Sequence, residues 1–221
     1  MQKFAVIVAG GKGVRMGNDT PKQFLLIRNK PILMHTLEAF HRYNPDITLV
    51  LVISEHEQAR WQDLCQQYSF FLEHKVVAGG INRSDSVRQG LDAIQSENGL
   101  VAIHDGVRPL VSTEIIAKSF AESEKQGNAV VSVPLKDSIR FDDGIENKAL
   151  DRSQYRLIQT PQTFLLPLIR EAYQKIGQLS LTDDASVLES AGHRIHLIDG
   201  DYRNIKITTQ EDMLIAEALW K

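Results

Sequence analysis

The chain has 221 residues, enough for one large domain with an appendage, and it can bury a full core without disulfides or metal. Its 43% hydrophobic and 24% charged content exclude a disordered chain, and a net charge of −3 excludes the general basic field that would hold nucleic acid or an anionic membrane. The lone cysteine, Cys65, cannot form an internal disulfide, and the N-terminus enters a strand with no basic or long apolar leader. The reading is a cytoplasmic protein, in which the sequons at Asn18 and Asn82 carry no sugar.

The first apolar run, KFAVIV at 3–8, reads as a strand, and AGGKGVRMGNDTPKQF follows it directly. Glycines let a backbone turn approach phosphate oxygens closely, and Arg15 and Lys22 add charge beside it, so the turn suits a nucleoside triphosphate. Two commoner phosphate motifs are excluded. Gly11-Lys12 is followed by Gly13 and not by Ser or Thr, and the third glycine of a dinucleotide fingerprint would fall on Met16. Pro21 restricts the backbone before Lys22 and helps aim a flexible side chain.

Helical spacing then appears at 31–43, and ITLVLVIS at 47–54 reads as a strand buried on both faces. A helix near 55–68, a strand near 74–78, a helix near 84–95, a strand at 100–104, a helix at 113–126 and a strand at 129–134 continue the alternation. Such repeated β-α-β units predict a doubly wound, mostly parallel α/β sheet with its ligand at the carboxyl ends of the strands. Gly10 to Arg15, the pair Gly79-Gly80 and Asp105 to Arg108 all fall at such ends, so polar clusters distant in sequence should share one crevice.

In AGGINRSDSVRQGL, at 78–91, Ser84, Asp85 and Ser86 suit a helix cap, while Ser86 and exposed amides of Gly79 and Gly80 could meet a nucleobase edge. In IHDGVRP, at 103–109, His104 reads as a hydrogen-bonded structural histidine. Asp105 could hold an acceptor hydroxyl or help position Mg²⁺. No dense cage of carboxylates, histidines or cysteines supports a tightly held protein-bound metal.

Residues 136–164 lack a helical period and carry two extended runs around Asp143-Gly144, which predicts a projecting β-hairpin. Ile139, Phe141 and Leu150 on such an arm need cover, and a second subunit would supply it; an ordinary lid or edge hairpin is the alternative. Helices at 165–176 and 183–191, a strand at 194–198 and a helix at 209–220 complete the chain. Thr182 reads as a helix cap, with Asp183 and Asp184 favoured by the helix dipole. Arg152, Thr160 and Lys206 are open between solvated roles and a site for a second, phosphorylated substrate.

The succession GGKGVRMG, PKQF, AGGINRSDSV, HDGVRP, DRSQYRLIQTPQTF, TDDAS and NIKIT resembles the 2-C-methyl-D-erythritol 4-phosphate cytidylyltransferases of non-mevalonate isoprenoid synthesis, nearly end to end. The resemblance implies a single Rossmann-like nucleotidyltransferase domain over 1–221, with a β-arm at about 136–160 used in homodimerisation. It implies transfer of CMP from CTP to methylerythritol phosphate, with Mg²⁺ bound mainly through the CTP phosphates and no nucleic-acid or membrane partner. By motif, Arg15 and Lys22 are the implied transition-state stabilisers. Ala9, Gly10, Gly11, Gly13, Gly80 and Ser86 resemble the CTP pocket. Asp105, Arg108, Ser138, Arg152, Thr160 and Lys206 resemble acceptor contacts, and Arg152 is expected to act across the dimer.

Gly106 stands where many members have alanine, Ser138 where threonine is familiar, and Ile81 where some relatives carry a polar or acidic side chain. The alternatives weighed are a cytidylyltransferase for ribitol 5-phosphate or another polyol phosphate, a non-catalytic nucleotide-binding module and a nicotinamide oxidoreductase.

Overall fold

A computed structural model describes residues 1–10, 20–177 and 181–220. In chain order, β1 (Lys3–Val8) is followed by a 3-10 turn at Lys22–Phe24 and a small hairpin of β2 (Leu26–Ile27) and β3 (Lys30–Pro31). Next come α1 (Ile32–Tyr43), β4 (Thr48–Ile53), α2 (Gln58–Gln67), β5 (Lys75–Ala78), α3 (Arg83–Asp92), β6 (Leu100–Asp105), α4 (Thr113–Gln126) and β7 (Asn128–Pro134). The remainder is β8 (Ile139–Asp142), β9 (Asn147–Leu150), β10 (Arg156–Leu165), α5 (Leu166–Lys175), α6 (Asp184–Ser190), β11 (Leu197–Asp199) and α7 (Gln210–Leu219).

Among the described residues, seven strands form one sheet in the order β11-β7-β10-β6-β1-β4-β5. Every pairing is parallel except those of β10, which runs antiparallel between β6 and β7. The doubly wound, mostly parallel expectation therefore holds for the central strands. The hairpin expected over 136–164 is shorter than its segment. Only β8 and β9 pair as a separate two-stranded sheet, while residues from Arg156 onward enter the main sheet as β10. The run RLIQTPQTFL holds two glutamines, two threonines and a proline and gives little apolar alternation, yet Gln159 to Phe164 are all buried.

Side chains alternate across the strands because their period is two. Ala5, Ile7, Leu49, Leu51 and Ala102 face a core closed by α1 and α4 through Leu37, Phe40 and Phe120. Phe4, Val6, Val50, Val52 and Ile103 face the opposite core, closed by α3, α5 and α6 through Val87, Ile169 and Leu188. Gly90 allows α3 to approach closely, since a Cβ there would lie 2.5 Å from Val6 Cγ1 and 2.8 Å from Val52 Cγ2.

Register places the functional loops together. Val8 pairs with Asp105 of β6 and Val52 of β4, and Ile53 of β4 pairs with Ala78 of β5. The carboxyl ends of these four strands are thus level. Among the described residues, no helix is long and apolar enough to cross a membrane.

Candidate active site

A cavity of about 580 Å³ opens above that level edge, lined by Ala9 and Gly10 after β1, Gly80 and Ser86 around the start of α3, and Asp105 at the end of β6. Lys22 and Lys206 line it as well. Beside it lies a second cavity of about 390 Å³, lined by Arg108, Thr160, Gln162 and Thr182. Arg83, Asp105 and Lys206 belong to both and mark their junction. Residues 9, 80, 105 and 206 thus converge on one crevice. Gly11, Gly13 and Arg15 lie outside the described residues.

The first cavity is built on backbone hydrogen bonds. Ala9 N donates to Val52 O at 2.8 Å, and Gly106 N donates to Val8 O at 2.9 Å, which fixes the two turns against each other. The glycine pair differs from expectation. Gly79 N donates to Ile53 O at 2.7 Å and Gly80 N to Ser86 Oγ at 3.1 Å, so both amides are engaged within the fold and not offered to a base. Ser86 Oγ in turn donates to Asn82 O at 2.9 Å. The helix cap is Asn82, whose side chain accepts from Asp85 N at 2.8 Å, which leaves Ser86 to brace the glycine loop. Gly80 is required by close approach, because a Cβ there would lie 2.3 Å from Asp85 Cβ. Ile81, where some relatives are polar, is fully exposed beside the cavity.

Electrostatics centre on Asp105, which is 7% exposed. Its Oδ2 lies 3.1 Å from Lys206 Nζ and accepts from Arg108 Nε at 3.2 Å, and its Oδ1 lies 3.8 Å from Arg83 Nε. Burial alone would push its carboxyl up, but Lys206, Arg83 and Arg108 outweigh that and hold it well below the usual carboxylate range. Asp105 is therefore an anion at any working pH. Its backbone N–H donates to Thr160 Oγ1 at 3.1 Å, and Arg108 is anchored by donation to Asn204 O at 2.7 Å. Burial lowers the Arg108 guanidinium from its ordinary value.

His104 is fully buried in β6, edge-on to the Phe40 ring at 5.0 Å between centroids. Its Nε2 is 3.3 Å from Arg108 O, and burial drives its pKa down to about 3. This neutral ring holds the turn below the site, as the structural reading of His104 expected.

Two acceptor-side candidates are elsewhere. Ser138 and Arg152 line neither cavity; Ser138 is exposed, and Arg152 donates to Lys136 O at the base of the hairpin. Thr182 is not the helix cap: Asp183 caps α6 by accepting from Ser186 N at 3.0 Å. Residues not anticipated from the sequence are Arg83, Gln162 and Asn204. Gln162 donates to Asp183 Oδ2 at 3.0 Å and accepts from Ala185 N at 2.7 Å, tying β10 to α6. A signal for Arg83 was available, since a cation in a helix's first turn opposes the dipole and needs a specific partner.

A level row of strand ends carrying Gly10 and the pair Gly79-Gly80, with two cavities meeting at a carboxylate among cations, is the arrangement expected of a nucleotidyltransferase. A family model described as 2-C-methyl-D-erythritol 4-phosphate cytidylyltransferase matches residues 3–221. A relative of that name from Azobacteroides pseudotrichonymphae is 47% identical over 219 residues, covering 99% of this chain and 98% of its own. Among solved structures, 4-diphosphocytidyl-2C-methyl-D-erythritol synthase from Anaerococcus prevotii superposes with a TM-score of 0.85 at 30% identity, covering 98% of this chain and 95% of its own. The 2-C-methyl-D-erythritol 4-phosphate cytidylyltransferase of Thermus thermophilus gives 0.81 at 29% identity, covering 99% of this chain and 98% of its own. The chain belongs to the 2-C-methyl-D-erythritol 4-phosphate cytidylyltransferase family.

Proposed function

We propose that the crevice carries out this family's reaction with the residues described above in the following roles. The chain transfers CMP from CTP to 2-C-methyl-D-erythritol 4-phosphate, giving 4-diphosphocytidyl-2-C-methyl-D-erythritol and pyrophosphate. The observation that carries the assignment of roles is the pair of cavities joined at Asp105 and Lys206. The larger takes CTP against Ala9, Gly10, Gly80 and Ser86. The smaller takes the acceptor against Arg108 and Thr160.

An acceptor phosphate oxygen forms the new bond to the α-phosphorus while the bond from that phosphorus to the bridging oxygen of the β-phosphate breaks, and pyrophosphate leaves with the electron pair. The nucleophile is a phosphate, so the protein supplies position and charge and no covalent step of its own. Negative charge grows on the non-bridging oxygens as five-coordinate phosphorus forms, and Lys22 and Arg15 stabilise it there. Lys206, fixed by Asp105, holds the acceptor phosphate at the junction.

Mg²⁺ fits this site only as a companion of the triphosphate. Among the described residues no cluster of three potential metal ligands occurs, and Asp105 is the carboxylate both cavities share. With Lys206 and Arg108 already on one of its oxygens, Asp105 has capacity for a shared ion and not for a resident one. The bound ion would neutralise triphosphate charge.

The hairpin of β8 and β9 is assigned to a homodimer contact. Phe141, Ile145, Tyr155 and Leu157 on and beside it are exposed, which suits cover by a second subunit. The same arrangement would carry Arg152 and Ser138 into a partner's crevice. Nucleotide supply and a lone unpaired cysteine favour the cytoplasm.

Pyrophosphate release from CTP with methylerythritol phosphate, against ribitol 5-phosphate at equal concentration, tests the reading. A tenfold or greater preference for methylerythritol phosphate, about 1.4 kcal/mol, is expected, and the opposite preference would overturn the acceptor.

A further inference from the structure

Arg83 opens α3, where the helix dipole disfavours a cation, so something beyond local structure must hold it. Its two terminal nitrogens donate to Asp184 Oδ1 at 3.0 Å and Oδ2 at 2.7 Å, a bidentate pair between residues 101 positions apart. Asp184 begins α6, is fully buried, and also accepts from Tyr173 Oη of α5 at 2.6 Å. The remaining guanidinium nitrogen, Nε, lies 3.8 Å from Asp105 Oδ1, within ion-pair reach. Stability alone does not call for this arrangement, since a buried ion pair is often matched by apolar side chains of similar volume. What it does accomplish is geometric. A planar fork held at two points cannot rotate, so its third edge faces one carboxylate oxygen while Lys206 and Arg108 take the other.

We propose that Arg83 is a positioning residue, clamped by Asp184 and Tyr173, which sets the orientation of Asp105 and through it the cation Lys206 at the junction of the two cavities. The inference rests on the reaction assigned above. It makes α5 and α6, which contribute no proposed substrate contact of their own, part of the machinery that aligns the two phosphates. Loss of the clamp should therefore weaken turnover more than nucleotide affinity, because alignment matters only when both phosphates are present.

The test uses the full chain. Asp184→Asn keeps the shape and one acceptor oxygen but removes the charge that fixes the fork; kcat should fall about tenfold or more while CTP affinity by calorimetry changes less than about threefold. Because clamp and fork act as one unit, Arg83→Ala combined with Asp184→Asn should be no slower than Arg83→Ala alone, within about twofold. Soluble guanidinium should restore part of kcat to Arg83→Ala and none to the double variant, which lacks the carboxylate that would seat it. Unchanged kcat in folded Asp184→Asn, or losses that multiply in the double variant, would overturn the proposal. Should Asp184→Asn fail to fold, Tyr173→Phe decides, with a kcat loss of about threefold expected and an unchanged kcat fatal. Wild-type chain that releases no pyrophosphate from CTP and methylerythritol phosphate would overturn the reaction itself, whereas an active wild type with indifferent variants removes only the clamp.

Discussion

Lys206 Nζ lies 3.1 Å from Asp105 Oδ2, a contact that joins the end of β6 to the loop before α7 across the mouth of both cavities. A flexible ammonium is held there by a buried carboxylate. Lys206→Ala should lower kcat/KM for methylerythritol phosphate by about a hundredfold, the scale of losing one cation aimed at developing phosphate charge. Steady-state pyrophosphate release measures it, and a loss under threefold would place Lys206 outside the acceptor site.

Lys22 and Arg15, proposed above to stabilise the transition state, give a parallel prediction. Lys22 lines the larger cavity beside Gln23. Either residue changed to alanine should cost about a hundredfold in turnover, with CTP affinity less affected, because the charge they meet exists mainly in the transition state. Single-turnover assays with saturating CTP separate the two effects.

Gly80 should not tolerate a side chain. The added Cβ of Gly80→Ala would lie 2.3 Å from Asp85 Cβ and 3.1 Å from the Asp85 carbonyl carbon, and the second neighbour is backbone that cannot swing away. Overpacking of this kind costs roughly 1–3 kcal/mol. The displaced loop should weaken CTP binding about tenfold, readable by calorimetry.

His104 gives a pH dependence of definite sign. Its folded pKa, driven down to about 3 by burial, lies below the ordinary 6.5, so below pH 6.5 the unfolded chain takes up a proton that the folded chain refuses. Stability from this group is complete above pH 6.5 and declines as pH falls toward 3. Between pH 7 and pH 5 the decline amounts to about 2 kcal/mol. Urea unfolding of His104→Gln at the two pH values should show that share removed from the difference; an unaltered difference would mean that His104 titrates in the folded protein.

Deleting 139–150 removes β8, β9 and their turn while leaving β10 in the sheet. The shortened chain should sediment as a monomer with depressed activity, since Arg152 would no longer be presented to a partner. An intact dimer would put the interface on another face.

Much of this protein was legible in one dimension. The strands Lys3–Val8 and Thr48–Ile53 and the helices Ile32–Tyr43 and Thr113–Gln126 announce themselves because buried parallel strands and amphipathic helices leave periodic apolar patterns. The crevice followed from them, since parallel topology places the ends after residues 8, 78 and 105 on one edge. Strand β10 is not separable from the hairpin in sequence, because its buried positions are largely Gln and Thr, satisfied by cross-strand and helix contacts that no local pattern records.

The sequence by itself determined the alternation of elements, the glycine turn and the residue types at the strand ends, because each of these depends on neighbours within a few positions. Tertiary structure alone decided which donors are already spent. Gly79 turns its amide to Ile53 O of β4, Ala185 gives its amide to Gln162 of β10, and Arg83 finds Asp184 from 101 residues away. Hydrogen bonds and ion pairs between distant segments depend on ångström-scale placement, and that placement exists only once both cores have closed.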